Sequence, residues 1–149
     1  MAVGAQAEKP RLAVLTDIGN EPDDAQSMVR LLVHSNAYDI EALIATTSIH
    51  LKSSCNTNMI RERVTAYGQV RNNLMKHDSG WPTEAGLMAV LKTGRPEYGM
   101  TGVGKGKDSE GSNWLIKIAD KKDNRPLWVS VWGGPNGLAQ ALWKVRETR

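Results

Sequence analysis

The sequence predicts an α/β domain built around a mainly parallel β-sheet. Two short apolar runs, residues 11–16 and 40–46, are separated by a stretch of helical periodicity, and a third apolar run covers residues 127–131. Short apolar runs bounded by turn residues are typical of buried strands. A strand, a helix and a second strand in succession form a βαβ unit, whose strands are parallel because the helix carries the chain back across the sheet.

The first βαβ unit has strand one at residues 11–16, helix one at residues 23–35 and strand two at residues 40–46. Pro22, followed by Asp23 and Asp24, favours a helix start because acidic side chains stabilise the unpaired N–H groups of the first turn. The later elements are predicted from helical spacing and turn signals: helix two at 58–71, a short helix at 84–93, a helix from Asp108 or Ser109 to Asp120, strand three at 127–131 and a final helix at 138–145.

The composition excludes several classes of protein. The chain has 149 residues and a net charge of +3; we expect residues 1–10 to be a disordered lead-in and residues 11–149 to form one domain. The basic residues are scattered, so no nucleic-acid-binding surface is predicted, and no apolar run is long enough for a membrane span. The start of the chain lacks a secretory signal pattern, which predicts a cytoplasmic protein, or a secreted one if a signal peptide has been removed. The single Cys55 excludes an internal disulfide.

A glycine-rich segment, residues 94–111, contains six glycines. The spacing of a Walker phosphate loop is absent, and so is a G-x-G-x-x-G pattern. We therefore interpret the segment as a flexible binding loop or lid.

Three carboxylates are predicted to meet at the carboxyl end of strand one, where open α/β sheets bind ligands. Asp17 follows the strand, and Asp23 and Asp24 open the next helix. Two like charges about 4 Å apart cost on the order of 1 to 4 kcal/mol, so such a group favours a hard cation, Ca²⁺ or Mg²⁺. The alternative is that Asp23 and Asp24 are ordinary helix-cap acids. His50, in the loop after strand two, is either a ligand contact or a solvated loop residue.

Four separated segments resemble the nucleoside hydrolase-like family, and in particular its branch often labelled a domain of unknown function or a cellulose-binding protein. They are TDIGNEPDDAQ (16–26), IEALIATTS (40–48), GKGKDSEGS (104–112) and VWGGPNGLAQAL (131–142). The resemblance covers residues 11–149 with the segments in the family's order. It implies an open three-layer αβα fold, of which this chain looks like the N-terminal half.

The resemblance also implies a calcium site and roles for individual residues. Asp17 resembles the family's catalytic base and metal ligand, Asp24 its second metal ligand, and Asp23 its contact to the sugar hydroxyls. Gly133 falls where the family supplies a backbone carbonyl to the metal. Asn136 approximates a binding Asn of the same turn, and His50 lies near the expected sugar-binding position.

The sequence departs from the family pattern at three places. Leu15 stands where the family has the first Asp of its D-x-D-x-G-x-D-D motif, and two extra residues lie between Gly19 and Asp23. The family's last metal-binding Asp and its leaving-group His come later in the chain than any segment here. These departures predict a site that lacks part of the family's catalytic ligand set.

Three functional hypotheses follow from these observations. The first is a hydrolase of N-glycosyl or related glycosidic bonds, whose transition state is oxocarbenium-like and in which Asp17 activates a calcium-bound water. The second is a non-catalytic carbohydrate- or nucleoside-binding module, or an inactive fragment of the same fold. Both take a small-molecule nucleoside or saccharide. The third is a truncated domain whose exposed sheet edge pairs with other chains, so that the chain could form a homo-oligomer.

Overall fold

The structure, a computed structural model, describes residues 8–149 and shows a four-stranded sheet flanked by helices. The sheet has the order β3-β2-β1-β4, and every neighbouring pair of strands is parallel. The elements are β1 (Arg11–Thr16), α1 (Pro22–Val33), β2 (Asp39–Ala45), α2 (Thr57–Leu74), α3 (Glu84–Ala89), β3 (Leu91–Thr93), α4 (Glu110–Ala119), β4 (Leu127–Val131) and α5 (Asn136–Thr148), with 3-10 turns at Ser35–Ala37 and Gly99–Gly102.

The core has two halves, one on each face of the sheet. On the face that carries α1, α2 and α3, the buried apolar residues include Val14, Met28, Leu43 and Ile60. The face that carries α4 and α5 buries a second group, including Ala13, Leu15, Ile44, Leu115 and Ala141. Successive residues of a strand point to opposite faces, which explains why residues 12–15 of β1 and 42–45 of β2 are apolar without interruption. The predicted parallel α/β fold is confirmed.

A short strand, β3, occupies part of the region predicted to be helix. The helix predicted at 84–93 ends at Ala89, and Leu91–Thr93 pair with β2 instead. Two backbone bonds fix the turn into and out of β3: Leu43 N donates to Val90 O (3.0 Å) and Gly94 N donates to Ala45 O (2.8 Å). The prediction was wrong here because the open edge of β2 satisfies these backbone groups better than another helical turn.

The boundaries of the other elements lie close to their predictions. β1 and β4 match them residue for residue, whereas α2 and α5 extend further at both ends. Residues 1–7 of the expected disordered lead-in lie outside the described residues. Disorder is wrong for Lys9 and Pro10, because Arg125 Nη1 donates to Lys9 O (2.7 Å) and Asp39 N donates to Pro10 O (3.0 Å).

Within residues 8–149, no helix is both long enough and apolar enough to cross a membrane.

A buried ion pair fastens the amino end of the sheet. Arg11, only 2% exposed, donates to both carboxylate oxygens of Glu41 at 2.8 and 3.1 Å and to Ile118 O at 2.6 Å. Lys121 Nζ lies 3.0 Å from Glu41 Oε1. The hydrogen bond from Arg11 lowers the pKa of Glu41 against the opposing effect of burial. These contacts tie β1, β2 and the end of α4 together, opposite the end where the predicted site lies.

Candidate functional site

The site forms where β1 ends and the chain turns into α1. Asp17 directly follows β1, and Asp24 lies in the first turn of α1 with 8% of its surface exposed. Thr16 connects the two segments: its Oγ1 donates to Asp24 Oδ2 (2.5 Å) and accepts from Ile18 N (3.1 Å). Thr16 was not predicted as a site residue, since its only signal in the sequence is its position at the predicted end of the strand.

Asp17 lies close enough to Asp24 to affect its protonation. Burial raises the pKa of Asp24, and the hydrogen bond and charge of the neighbouring Asp17 raise it further; the bond from Thr16 opposes these effects only in part. Asp23 adds a smaller repulsion from its charge. A carboxyl whose pKa rises through burial and a like charge is typical of functional sites.

The turn between Asp17 and α1 depends on Gly19. Its φ of +101° favours glycine, and a Cβ there would lie 2.7 Å from Asn56 Nδ2 and against Met59 Sδ. Asn56 in turn donates to Ile18 O at 2.9 Å. The loop before α2 therefore supports the turn that places Asp17, a contact that no local sequence pattern indicates.

Gly133, in the turn after β4, lies directly against Asp17. A Cβ at this position would stand 2.8 Å from Asp17 Cβ and 2.9 Å from Asp17 N, too close for any other residue. The turn is anchored by Trp132 N, which donates to Leu15 O (2.8 Å). The structure thus brings Gly133 to Asp17, and the prediction that its carbonyl binds a metal stays a prediction.

Asn136 is engaged by the protein itself. Its Oδ1 lies 3.0 Å from Thr46 Oγ1 and 3.3 Å from Thr47 Oγ1, and its Nδ2 donates to Glu97 O at 3.0 Å. Only 4% of Asn136 is exposed. These bonds join the ends of β2 and β4 to the glycine-rich segment, so Asn136 has a structural role. Its predicted contact with substrate stays a prediction.

The glycine-rich segment forms hydrogen bonds and an ion pair with α5, and it has further ion pairs between its own residues. Gln140 bonds both backbone groups of Gly104, at 2.7 and 3.1 Å, and Lys144 Nζ lies 2.5 Å from Asp108 Oδ2. The hydrogen bond from Arg95 lowers the pKa of Glu97 to about 2. These contacts fasten the glycine-rich segment to α5.

Asp23 and His50 do not join the carboxylate pair. Both are exposed, and His50 uses its backbone N–H to bond Ser48 Oγ (3.0 Å). Among residues 8–149, no three His, Cys, Asp or Glu side chains are close enough to hold a metal ion. The expectation that three carboxylates meet in one group is therefore wrong, because adjacent helical residues cannot point in the same direction. The sugar-binding roles of Asp23 and His50 stay predictions.

Comparison with known proteins identifies the family. A model described as "Cellulose-binding Sde182, nucleoside hydrolase-like domain" matches residues 11–149. The chain belongs to this family. No functionally curated protein matches it. A solved structure of a nucleoside hydrolase-related hypothetical protein from Saccharophagus degradans, associated with carbohydrate metabolism, is 48% identical with a TM-score of 0.92. The match covers 95% of this chain and 34% of that one, so the chain spans about a third of that protein's length.

Membership of the nucleoside hydrolase-like family confirms the resemblance carried by the four motifs. It also makes the position of Leu15 informative. This residue is fully buried among the apolar residues that α4 and α5 cover, so a carboxylate there would be costly. The acidic part of the candidate site in this chain is therefore the pair Asp17 and Asp24.

The pair fits a hard divalent cation in part. Two adjacent carboxylates without a cationic partner among residues 8–149 supply oxygen ligands of the kind Ca²⁺ prefers, and Gly133 places a backbone close to Asp17. Ca²⁺ takes about 6 to 8 oxygens, so water and ligand hydroxyls would have to complete the coordination. Such a site would bind its ion and its ligand together.

Proposed function

We propose that the carboxyl end of β1 binds the vicinal hydroxyls of a sugar through a Ca²⁺ ion held by Asp17 and Asp24. The sugar would belong to a saccharide or a nucleoside. The observation that carries this proposal is that Asp24, buried and bonded only to Thr16, lies close enough to Asp17 to respond to its charge, while neither carboxylate forms a salt bridge among residues 8–149. Membership of a family described as cellulose-binding and nucleoside hydrolase-like supports a carbohydrate ligand.

The protein's own residues have distinct tasks in this proposal. Thr16 holds one oxygen of Asp24 through its 2.5 Å bond and leaves the other oxygen to the ion. Gly133 keeps the space beside Asp17 free of side-chain atoms. Asp23, exposed at the start of α1, is available to accept a hydrogen bond from a ligand hydroxyl. A bound Ca²⁺ would supply positive charge that orients two hydroxyls and polarises a water.

A second candidate function is hydrolysis of a glycosidic bond, with Asp17 as general base. The observation that favours it is the difference between the two carboxylates. Asp24 is buried and bonded to a hydroxyl, whereas Asp17 is half-buried and takes part in no salt bridge within the described chain. Asp17 could therefore accept the proton of a water that attacks the anomeric carbon, while the glycosidic bond breaks and its electron pair leaves with the aglycone.

Calorimetric titration with cello-oligosaccharides and with ribonucleosides, in Ca²⁺ and again in EDTA, tests the binding proposal. We expect binding that requires Ca²⁺ and that Asp24→Asn weakens at least about tenfold, since one of two carboxylate ligands is lost. Glu62→Gln, which removes an exposed carboxylate on α2, is the control and should bind like the wild type. Binding that is unchanged in EDTA would contradict the proposal.

Turnover separates the second candidate from the first. Hydrolysis of nucleosides or p-nitrophenyl glycosides that falls by about 100-fold or more in Asp17→Asn, with ligand still bound, supports a general base. Ca²⁺-dependent binding without turnover supports the binding module alone. Turnover that survives Asp17→Asn rules out the assignment of the base.

A further inference from the structure

The carbonyl of Gly133 is a backbone group of the candidate site that the protein itself does not use. Gly133 lies directly against Asp17, and no donor among residues 8–149 bonds its oxygen. A carbonyl that is free in this way, on a residue next to a carboxylate, is available to a hard cation. It serves a cation only if the turn that carries it is held in one position, because the ligands of an ion have to lie at defined distances from it.

Two threonines at the end of β2 hold the next residue of that turn. Gly134 N donates to Thr47 O (2.8 Å), and the hydroxyl of Thr46 lies 3.1 Å from Gly134 O. A Cβ on Gly134 would collide with Thr47 O, so only glycine permits this approach. Both backbone groups of Gly134 are therefore bonded to β2, and the position of Gly133 is restricted in consequence.

The hydroxyl of Thr46 has one proton and two acceptors within reach. The second acceptor is Asn136 Oδ1, at 3.0 Å. Gly134 and Asn136 both lie where β4 is joined to α5, so the hydroxyl fixes the same connection whichever oxygen receives its proton. Only 1% of Thr46 is exposed, which keeps water from competing for the bond.

The backbone of Thr46 is bonded to β1. Its N–H donates to Thr16 O (2.8 Å), and Thr16 both precedes Asp17 and donates its hydroxyl to Asp24. In the sheet order β3-β2-β1-β4, β2 and β4 lie on opposite sides of β1. Thr46 therefore connects β2 with the turn after β4 across the end of β1, at the point where Asp17 leaves the strand.

We propose that Thr46 is a positioning residue for the cation site, because its hydroxyl fixes the turn that holds Gly133 against Asp17. The inference rests on the proposed function, in which Asp17 and Asp24 bind Ca²⁺. Groups that orient metal ligands without touching the metal typically change its affinity by about 10- to 100-fold when they are removed. A hydroxyl that only supported the fold would contribute to stability and leave the affinity of the folded protein for the ion unchanged.

A calorimetric Ca²⁺ titration of the metal-free 149-residue chain, with urea unfolding of each variant in the same buffer, tests the proposal. Thr46→Val keeps the size of the side chain and removes the hydroxyl, so it should weaken Ca²⁺ binding about tenfold. Thr46→Ser keeps the hydroxyl and removes a buried methyl group. It should therefore lose stability and still bind Ca²⁺ within about twofold of the wild type.

The matched control is Thr93→Val in β3, the strand farthest from β1 in the sheet. It removes a partly buried hydroxyl that is bonded to Thr57 (2.8 Å) and should leave the affinity for Ca²⁺ unchanged. If circular dichroism shows that Thr46→Val is unfolded, Thr46→Ala takes its place, since it removes the same hydroxyl without adding bulk. The same loss of affinity is expected of it.

The outcomes separate the positioning role from the binding of the ion. Wild-type affinity in the variant that lacks the hydroxyl would overturn the role of Thr46 and leave the binding of Ca²⁺ by Asp17 and Asp24 intact. Equal weakening in Thr46→Ser and Thr46→Val would overturn it too, because the packing of the side chain would then matter in place of its hydroxyl. A wild-type chain that binds no Ca²⁺ would overturn both proposals.

Discussion

The two ends of the sheet treat buried carboxylates in opposite ways. At the amino end, Glu41 is bonded by Arg11 and Lys121, and Asp123 by Arg125. At the carboxyl end, Asp24 is bonded by the neutral hydroxyl of Thr16 and faces another carboxylate, Asp17. The consequence is visible in the pKa directions, since Arg11 lowers the pKa of Glu41 whereas burial and Asp17 raise that of Asp24.

The charges at the amino end are structural, and we propose that those at the carboxyl end are functional. At the amino end, the partners of these charges all lie within the protein, so the ion pairs contribute their stabilisation when the chain folds. The carboxyl end holds two carboxylates close together, and their repulsion lowers the stability of the fold. Such an arrangement is retained where a ligand or ion supplies the missing positive charge.

Removal of Arg11 should have the largest effect. Arg11→Met leaves Glu41 buried without its main partner, and breaking a buried ion pair from one side costs about 3 to 5 kcal/mol. Urea unfolding at neutral pH measures the loss. The control is Arg149→Met, which removes an exposed partner of Asp120 and should cost less than about 1 kcal/mol. Equal losses in the two variants would show that the amino end is not the structural end.

Removal of the Asn136 side chain should have an intermediate effect. Asn136→Ala removes the hydrogen bonds of this buried amide to Thr46, Thr47 and the carbonyl of Glu97. The two hydroxyls keep the carbonyls of Gly134 and Glu97 as acceptors, so the expected loss in the free energy of unfolding is about 1 kcal/mol. Asn113→Ala removes an exposed amide bonded to Lys144 and should change stability little. If Asn136→Ala were as stable as the wild type, its predicted role as a ligand contact would gain weight.

Neutralising Asp24 should have the smallest effect, and in the opposite direction. Asp24→Asn keeps an acceptor for Thr16 and removes the repulsion from Asp17, so the metal-free protein should gain on the order of 1 kcal/mol at neutral pH.

The sign follows from the raised pKa of the folded state. The folded wild type binds the proton more tightly than the unfolded chain does, so its stability falls as pH rises from the unfolded pKa, about 3.9, through the folded pKa. The advantage of Asp24→Asn should therefore be complete at neutral pH and disappear toward pH 3.9. Unfolding measured across this range checks it, and a variant that is less stable at neutral pH without metal would contradict it.

Much of the fold could be predicted because it rests on local patterns. The apolar runs of β1 and β4 are bounded by turn residues on both sides, which is why their limits agree with the structure. The three residues of β3 are too few to show a period of their own. The ion network of the amino end was missed because Arg11 and Asp123 are far apart in the sequence and meet only in the folded chain.

The approximate position of the candidate site could also be predicted from local patterns. The position of Asp17 after a strand and of Asp24 at a helix start was sufficient to bring them together, because strand ends and helix starts meet at one edge of an α/β sheet. The separate direction of Asp23, the contact of Thr16 with Asp24 and the support from Asn56 depend on side-chain directions and tertiary contacts. Such contacts leave no trace in residue spacing.

The most direct test of the cation-binding role of Asp17 and Asp24 is a calorimetric Ca²⁺ titration of the metal-free chain, with melting temperatures recorded in the same buffers. The wild type should bind Ca²⁺ and become more stable, since an ion that binds only the folded state stabilises it. Asp17→Asn and Asp24→Asn should each weaken binding at least about tenfold, whereas Glu62→Gln should not. Absence of Ca²⁺ binding by the wild type, or equal binding by Asp24→Asn, would contradict the account.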